Sequence, residues 1–357
     1  MTGAELRPGT REELADALAA AGARGAGGGI EIVGGGTHTP PAPRRDTGSV
    51  RLRTEGLARV VDHTPADLTV TVEGGMPADD LAALLAGAGQ CWPQADTVPG
   101  STVGGILAAA ASGHRRLREG PVRDSLLEVV VATGDGRLVT GGGRTVKNVS
   151  GFDIPRLMVG AHGTLGVIVQ ATLKLWPLPE RAAWFRREGT PGELTEAARA
   201  LVASPARPGA VMLGPDGIDV ELVGPAADVV APEGFAERPA PPDPFTAPAV
   251  MTVGVPPARL ALLAAALHGE GLRFRAAMGV GACRVEVTGD AVARAVRENA
   301  RMLGGHAVLS RDTLGLAIDP WGAPPPGMTQ MARLRRAFDP AGILNRGRLP
   351  GALDGGR

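Results

Sequence analysis

Short apolar runs separated by glycine-rich turns fill the first half of the chain. Runs of β-branched residues predict strands, and helical spacing of alanine and leucine predicts helices between them. A capping-box sequence, Thr10 to Glu13, marks the start of the first helix. The predicted strands are 30–33, 60–62, 68–73, 125–132, 137–140 and a run ending at Leu175, and the predicted helices are 10–21, 77–86, 106–111 and 153–158.

From about Glu180 the pattern changes to a strand–helix–strand theme that occurs twice. The predicted strands are 182–187, 210–213, 218–223, 250–255, 273–278, 282–287 and 307–310, with helices over 191–203, 257–269 and 290–303. A last helix begins at Gln330. The expected domains are 1–179, a smaller α/β domain of residues 180–309, and a C-terminal segment, 310–357, that returns to the first domain.

Residues 224–249 are rich in proline and have little periodicity, which predicts a surface loop. Such a loop could dock a partner or remain disordered. We favour disordered surface, because proline-rich composition discriminates weakly between the two.

Composition narrows the class of protein. The 37 basic and 37 acidic side chains balance, so charge does not favour attraction to nucleic acid or to an anionic membrane surface. Cys91 and Cys283 have neither a metal-binding spacing nor a disulfide framework, which is typical of a reducing cytoplasm. No signal-peptide pattern begins the chain, and no apolar run approaches the ~20 residues of a membrane span. We expect a cytoplasmic protein without an integral membrane segment.

Two glycine-rich loops lie beside predicted elements in the first domain. Gly34-Gly35-Gly36-Thr37 follows a strand, but the prolines at 40 and 41 forbid the helix start that a Rossmann or P-loop motif needs. Pro99-Gly100-Ser101-Thr102-Val103-Gly104-Gly105 leads into a small-residue helix, whose free N–H groups suit a pyrophosphate. Each loop alone could equally be a flexible hairpin or a site of close packing.

A third glycine loop occupies residues 160–166, between the helix at 153–158 and a β-branched strand. Glycine permits positive φ and a close approach of main chain to a ligand, and the hydroxyl of Thr164 is expected at the closest point. A plain helix-to-strand turn needs one glycine, whereas this loop has three, Gly160, Gly163 and Gly166. Three such loops in one domain favour a bound ligand over three unrelated turns.

These loops, in this order, resemble the FAD-binding domain of the vanillyl-alcohol oxidase and p-cresol methylhydroxylase (PCMH) relatives. The closer resemblance is to the FAD-binding subunit of bacterial glycolate oxidase. The matching stretches are VGGGT at 33–37, PGSTVGGILA at 99–108, VRD at 122–124, VKNVSGFDIPRLMVGAHGTLGVI at 146–168 and FDPAGILNRGRL at 338–349. The resemblance implies an α+β fold, with a two-lobed PCMH-type FAD-binding domain and a smaller α/β cap domain.

The resemblance also implies which residues hold FAD. The first two loops would wrap the pyrophosphate, the third would lie along the flavin and adenosine, and Lys147 and Asn148 would lie near the ring or the phosphates. We expect main-chain amides to capture the dinucleotide without a dedicated cationic clamp. The expected cofactor-binding residues are Gly34, Gly35, Gly36, Thr37, Pro99, Gly100, Ser101, Thr102, Gly104, Gly105, Lys147, Asn148, Gly160, Gly163, Thr164, Gly166, Val167 and Asn345.

The sequence departs from the family pattern at four places, one of which is Ala161-His162, where the wider family often has Ser-Glu. Covalent members carry histidine where Thr37 stands, and His38 comes one residue later, so we expect noncovalent FAD. Glu119 replaces a tyrosine that is common after the second loop. The histidine-rich metal site of the partner glycolate/D-lactate dehydrogenase subunit has no counterpart, so we expect no metal site.

Hydroxy-acid oxidation needs a base for the hydroxyl proton and cations for the carboxylate. His162 is the one histidine inside a motif and is the candidate base, while Arg156 and Arg123 are the candidate carboxylate holders. Arg123 could also lie near the ring or the phosphates. Arg156 could equally pair with Asp153, three residues earlier on a helix.

Three functions remain open at this point. The first is the FAD-binding subunit of a glycolate oxidase complex, which passes electrons from glycolate or a similar 2-hydroxy acid through FAD to an iron–sulfur subunit, beside a second flavin subunit. Such partners could hold the chain at the inner face of the membrane. The second is a stand-alone FAD-linked oxidoreductase of another alcohol or hydroxy acid. The third is a catalytically silent assembly subunit with a flavin fold.

Overall fold

The computed structural model describes residues 5–25, 29–38, 49–94, 98–144, 152–239, 241, 245 and 247–350. They divide into two compact units. The first unit contains residues 1–113, 121–178 and 323–357, and the second contains residues 114–120 and 179–322. The sequence had placed the C-terminal return at residue 310, whereas the structure groups 310–322 with the second unit.

The strands and helices are numbered in chain order. The strands are β1 Glu5–Leu6, β2 Ile30–Val33, β3 Val50–Arg53, β4 Val60–Thr64, β5 Thr69–Glu73, β6 Gln90–Cys91, β7 Leu126–Ala132, β8 Leu138–Gly142, β9 Val167–Lys174, β10 Trp176–Pro177, β11 Arg181–Glu188, β12 Ala210–Leu213, β13 Gly217–Gly224, β14 Ala236–Arg238, β15 Ala249–Gly254, β16 Phe274–Ala277, β17 Ala282–Glu286 and β18 His306–Asp312. The helices are α1 Arg11–Ala23, α2 Ala78–Gly87, α3 Val103–Ala108, α4 Arg116–Glu119, α5 Ile154–Met158, α6 Pro191–Val202, α7 Leu260–Gly269, α8 Asp290–Met302 and α9 Met328–Phe338.

A small parallel sheet, in the order β1-β3-β2, begins the first unit. The C-terminal return extends it, because Ile30 N donates to Ile343 O at 2.8 Å and Asn345 N donates to Ile30 O at 2.9 Å. Apolar side chains of α1, β2, β3 and the return form one buried cluster. The predicted helix cap is present, since the Thr10 hydroxyl accepts from Glu13 N.

A larger antiparallel sheet, in the order β4-β5-β9-β7-β8, forms the other part of the first unit. Apolar residues of α2, α3 and this sheet share a core that includes Leu81, Ile106 and Leu173. Strand β9 lies at the centre of the sheet and begins directly after the third glycine loop. The first loop follows β2 and the second precedes α3, so all three loops lie at ends of packed elements.

The second unit is built on an antiparallel sheet in the order β14-β11-β13-β12-β16-β17-β15-β18. Alternate residues of its strands pack with helices α6, α7 and α8 in one core. Strand β14 lies inside the segment that the sequence predicted as a surface loop, which is therefore wrong for Ala236–Arg238. These residues are ordered because they pair with Trp184 to Arg186 at the edge of the sheet.

The face of this sheet away from the helices carries an arginine face, defined here as Arg275, Arg284 and Arg311. Arg275 and Arg284 alternate with core residues and stand directly opposite each other on β16 and β17. A bulge in β18 places Arg311 opposite Val250, on the same side of the sheet. Among the described residues, Arg284 and Arg311 have no ion pair, so the arginine face has excess positive charge.

Residues 114–120 join the second unit through a buried ionic cluster. The Arg115 guanidinium donates to both carboxylate oxygens of Glu221 at 2.8–3.1 Å, and His114 Nε2 lies 3.1 Å from Oε2. Burial by itself raises the pKa of a carboxyl, but the contacts from His114 and Arg115 outweigh it and lower the pKa of Glu221. The cluster therefore stabilises the fold at neutral pH and loses that contribution as pH falls through the lowered pKa.

Two expectations about the whole chain can be compared with the structure. Cys91 and Cys283 are free thiols. Within the described ranges, no helix combines the length and apolar character needed to cross a membrane.

Arg115→Met should destabilise the chain by about 3–5 kcal/mol, because it leaves the buried Glu221 carboxylate without its strongest partner. Denaturant unfolding followed by circular dichroism measures this loss. The double variant Arg115→Met/Glu221→Met removes the stranded charge and should recover most of the stability. Equal losses in the single and double variants would show that the buried charge is not the cause.

Candidate functional site

An open cleft in the first unit collects the glycine loops. The space between its walls that a water-sized molecule can occupy is about 80 Å³, which is smaller than the roughly 300–1,000 Å³ of typical ligand pockets. Its lining contains parts of all three loops, of β2 and α3, and of the C-terminal return. The lining residues are Ile32, Gly34, Gly35, Gly36, Thr37, His38, Thr54, Gly74, Thr102, Gly104, Gly105, Ala108, Ala109, His162, Gly163, Gly166, Val167, Ile168, Asn345 and Arg348.

The first two loops pack main chain against main chain. A Cβ added to Gly35 would lie 1.9 Å from Gly100 O, and one added to Gly34 would lie 2.3 Å from Thr102 Oγ1. The Ser101 hydroxyl lies 2.9 Å from Thr37 Oγ1 and also donates to Val98 O. No side chain larger than glycine fits at positions 34 and 35 while this contact persists.

The first loop lines the cleft with Gly34, Gly35, Gly36 and Thr37. Among the described residues, no acceptor is found for the N–H groups of these four residues. Gly36 has a φ of +72°, which glycine adopts readily. Main-chain donors of this kind are available to bind an anion.

The second loop forms part of the cleft wall, but its main-chain N–H groups are largely used within the fold. Gly100 N donates to Asp79 Oδ2 at 3.0 Å, and Gly104 N donates to Gly74 O at 2.7 Å. Gly105 N donates to the hydroxyl of Thr102, which caps α3. The second-loop amides at 100, 104 and 105 thus have partners within the fold.

The third loop is attached to α3. Gly160 N donates to Leu107 O at 3.1 Å and His162 N donates to Ala108 O at 2.8 Å. The predicted role of the Thr164 hydroxyl at the ligand is wrong, because this side chain is buried and donates to Ala161 O at 2.7 Å. Its hydroxyl closes the turn of the loop itself.

Asn345 connects the C-terminal return to both sides of the cleft. Its Oδ1 accepts from Ile32 N at 2.8 Å, and its Nδ2 donates to His162 O at 2.7 Å. It adopts a φ of +40°, which asparagine tolerates better than most residues. A Cβ on Gly163 would lie 2.6 Å from Nδ2, so this glycine is needed for the contact.

Arg348 is a lining residue that sequence reasoning missed. Its Nη2 lies 3.0 Å from Glu31 Oε1, and the residue is buried. The C-terminal return folds back beside β2 and places this guanidinium in the cleft lining. Capture of the dinucleotide by main-chain amides without a dedicated cationic clamp stays a prediction. The motif FDPAGILNRGRL contains this arginine. The sequence does not show that the chain folds back to bring it beside the glycine loops, which lie far away along the chain.

His162 is a neutral group in this cleft. Burial, and then the nearby charge of Arg348, lower its pKa to about 4. The imidazole is therefore unprotonated at neutral pH and, with so low a pKa, is a weak proton acceptor.

The other predicted catalytic residues lie elsewhere on the surface. Arg156 contacts Asp153 at 3.4 Å and Arg123 contacts Asp124 at 3.5 Å, each with more than half of its side chain exposed. Neither lines the cleft, because short local turns present both side chains to solvent.

Of the predicted cofactor residues, those that line the cleft are Gly34, Gly35, Gly36, Thr37, Thr102, Gly104, Gly105, Gly163, Gly166, Val167 and Asn345. Those that support it from behind are Pro99, Gly100, Ser101, Gly160 and Thr164. Lys147 and Asn148 lie outside the described residues. In the part of the chain that the structure describes, no group of three or more metal-ligating side chains is arranged to hold a metal ion.

Comparison with known proteins defines the class of protein. Residues 3–142 match the family described as FAD binding domain. The predicted cofactor, FAD, is confirmed by this match. That FAD is held noncovalently stays a prediction.

Named relatives match part of the chain. The glycolate oxidase subunit GlcE of Escherichia coli is 38% identical over 131 residues, which cover 36% of this chain and 37% of the relative. The D-2-hydroxyglutarate dehydrogenase of Xanthomonas citri is 37% identical over 133 residues (37% and 28%), and the glycolate oxidase subunit GlcD of Bacillus subtilis is 33% identical over 150 residues (41% and 32%). The aligned stretches thus span about a third of the length of these relatives.

A solved structure of alkyldihydroxyacetonephosphate synthase resembles nearly the whole chain. It has a TM-score of 0.65 and 15% identity and covers 96% of this chain and 76% of that protein. At this identity the likeness concerns the fold alone. With the family match it confirms the predicted α+β, PCMH-type FAD-binding fold.

The residues of the cleft fit an FAD diphosphate. The positions where a Cβ would collide are glycines, the first-loop amides face the opening, and Arg348 supplies a positive charge. A doubly charged diphosphate is the part of FAD that such a lining favours.

Gly35→Ala should abolish FAD retention, because its Cβ would lie 1.9 Å from Gly100 O and both atoms belong to main chain that cannot move aside cheaply. The flavin-to-protein absorbance ratio of purified protein measures the loss. Gly87→Ala, where an added Cβ meets nothing within 4 Å, is the matched control and should retain flavin. Normal flavin content in Gly35→Ala would mean that the two loops separate freely.

His162→Asn should change how stability depends on pH. The folded pKa of about 4 lies below the ordinary value of 6.5, so the unfolded chain binds more protons between these values and stability falls as pH drops from about 6.5 to 4. Asparagine tolerates the φ of +51° and does not titrate. Between pH 7 and 5 the flavin-free wild type should lose on the order of 1 kcal/mol more than the variant in denaturant titrations. Parallel pH profiles would contradict the burial of a neutral imidazole.

Proposed function

We propose that this chain is the FAD-binding subunit of an enzyme complex that oxidises a small 2-hydroxy acid, with glycolate as the first candidate. The observation that carries the proposal is the cleft, in which unpaired first-loop amides and close-packed glycines lie within the FAD-binding domain. Relatives of this stretch bear the names of glycolate oxidase subunits, D-2-hydroxyglutarate dehydrogenase and D-lactate dehydrogenase.

The proposed reaction converts a 2-hydroxy acid to a 2-oxo acid, with loss of a hydride from Cα and a proton from the hydroxyl. FAD, when bound, supplies the two-electron acceptor. The first-loop amides hold the cofactor's diphosphate, and Asn345 keeps the first and third loops together around it. The low pKa of His162 suits a neutral hydrogen-bonding group better than a general base, so we assign it that role.

A carboxylate substrate needs a cation that holds and orients it. Arg123 and Arg156 pair with their own neighbours and do not line the cleft.

The partners in this proposal are an iron–sulfur subunit, which accepts the electrons, and a second flavin subunit. Two differently named glycolate oxidase subunits among the relatives support an assembly of several chains. Isolation of the complex would show how those chains are arranged around this one.

The direct test is anaerobic addition of glycolate, D-lactate or D-2-hydroxyglutarate to the purified yellow protein. We expect flavin bleaching with at least one of them, and acid precipitation should release the flavin into the supernatant.

Other outcomes favour the other candidate functions. Bleaching by the lone chain with rapid turnover to an artificial acceptor would favour a stand-alone oxidoreductase. A flavin that no 2-hydroxy acid bleaches, even in the complex isolated from cells, would favour a silent assembly subunit and overturn the proposed oxidation.

A further inference from the structure

We propose that Arg348 recognises the diphosphate of FAD and that Glu31 holds its guanidinium at the cleft. This inference rests on the FAD-binding part of the proposed function and is independent of the oxidation step. The residue lies near the C-terminus, far along the chain from the glycine loops that line the same opening.

The position of Arg348 in the cleft is the first support. It is 8% exposed, and among the described lining residues it is the one with a permanent charge. The remaining lining consists of glycines, small or apolar residues, neutral polar groups and two histidines. Glu31 supplies the anionic partner that a charge buried to this extent requires, on one edge of the guanidinium.

The contacts of Glu31 are the second support. Arg348 lies 3.0 Å from Oε1 of Glu31, and Arg51 lies 3.0 Å from Oε2 of the same carboxylate. Arg51 is about half exposed and lies on β3, whereas Arg348 is on the cleft side. The carboxylate therefore fixes the position of the Arg348 guanidinium beside the cleft.

The chemistry of the guanidinium is the third support. It has five N–H donors in a planar fork, so an ion pair on one edge is compatible with phosphate oxygens on another. First-loop amides that face the same cleft offer further donors to the same anion. A diphosphate with two negative charges matches one cation and several amides better than a neutral ring does.

The turn at Asn345 holds Arg348 in place. Arg348 N donates to Asn345 O at 3.2 Å, while the Asn345 side chain bridges Ile32 and His162. The carboxylate of Asp339 accepts from Ile343 N and Leu344 N just before this turn. Diphosphate binding at Arg348 would therefore also stabilise the docking of the C-terminal return.

The test measures FAD and ADP-ribose affinity of the flavin-free, full-length chain by calorimetry, in 50 mM and 500 mM NaCl. Arg348→Met should weaken both ligands about 10-fold or more, because both contain the diphosphate. It should also reduce the salt dependence of binding, since one ionic contact is lost. Glu31→Gln, which removes the ion pair that holds the guanidinium in place, should weaken both ligands by a smaller factor than Arg348→Met.

Arg346→Met is the matched control. Arg346 lies two residues earlier and donates to Gly342 O at 2.6 Å, but it does not line the cleft. It should change FAD affinity less than twofold and leave the salt dependence intact. If Arg348→Met folds poorly, Arg348→Lys keeps the charge but loses the fork and should bind FAD three- to tenfold more weakly with unchanged melting of the flavin-free protein.

The inference is overturned if Arg348→Met, or Arg348→Lys where the former does not fold, binds FAD within twofold of the wild type. It is also overturned if Arg346→Met loses as much affinity, since the effect would then be structural. A wild-type chain that binds neither ligand would refute the FAD premise itself. If the chain binds FAD but does not oxidise hydroxy acids, the proposed oxidation fails. The affinity measurements would still test the role of Arg348.

Discussion

Close contact between main chains, without side chains between them, is the constraint on which the cleft depends. At Gly35 a single added carbon would lie 1.9 Å from Gly100 O, and at Gly74 it would lie 1.9 Å from Ile168 O. Glycine at these positions lets loops from distant parts of the sequence share one boundary. The amides of the first loop then face a common opening instead of being shielded by side chains.

The side chain of Asn345 links β2 to the third loop and so fixes their relative position. One side-chain amide satisfies an N–H of β2 and a carbonyl of the third loop, and such bonds are costly to lose in a buried setting. The C-terminal return is thus part of the cofactor site although it follows the whole second unit in sequence. The order of the chain, with the second unit inserted before the return, is consistent with that role.

Few ionisable side chains line the cleft in the described part of the chain. His162 is neutral because burial and Arg348 disfavour a second positive charge. Arg348 retains its charge beside Glu31, and the remaining donors are amides of the main chain. This combination favours a phosphate group, and it gives little support to acid–base chemistry at His162.

The sequence by itself determined the elements and the kind of ligand, because strand periodicity, helix caps and glycine loops are local signals. Eleven of the predicted cofactor residues line the cleft, whereas the hydroxyl of Thr164 bonds within its own loop. Tertiary structure alone decided which amides remain available and that Arg348 enters the cleft. The availability of the amides and the position of Arg348 depend on contacts between residues that are tens to hundreds of positions apart. Local sequence patterns do not predict such contacts.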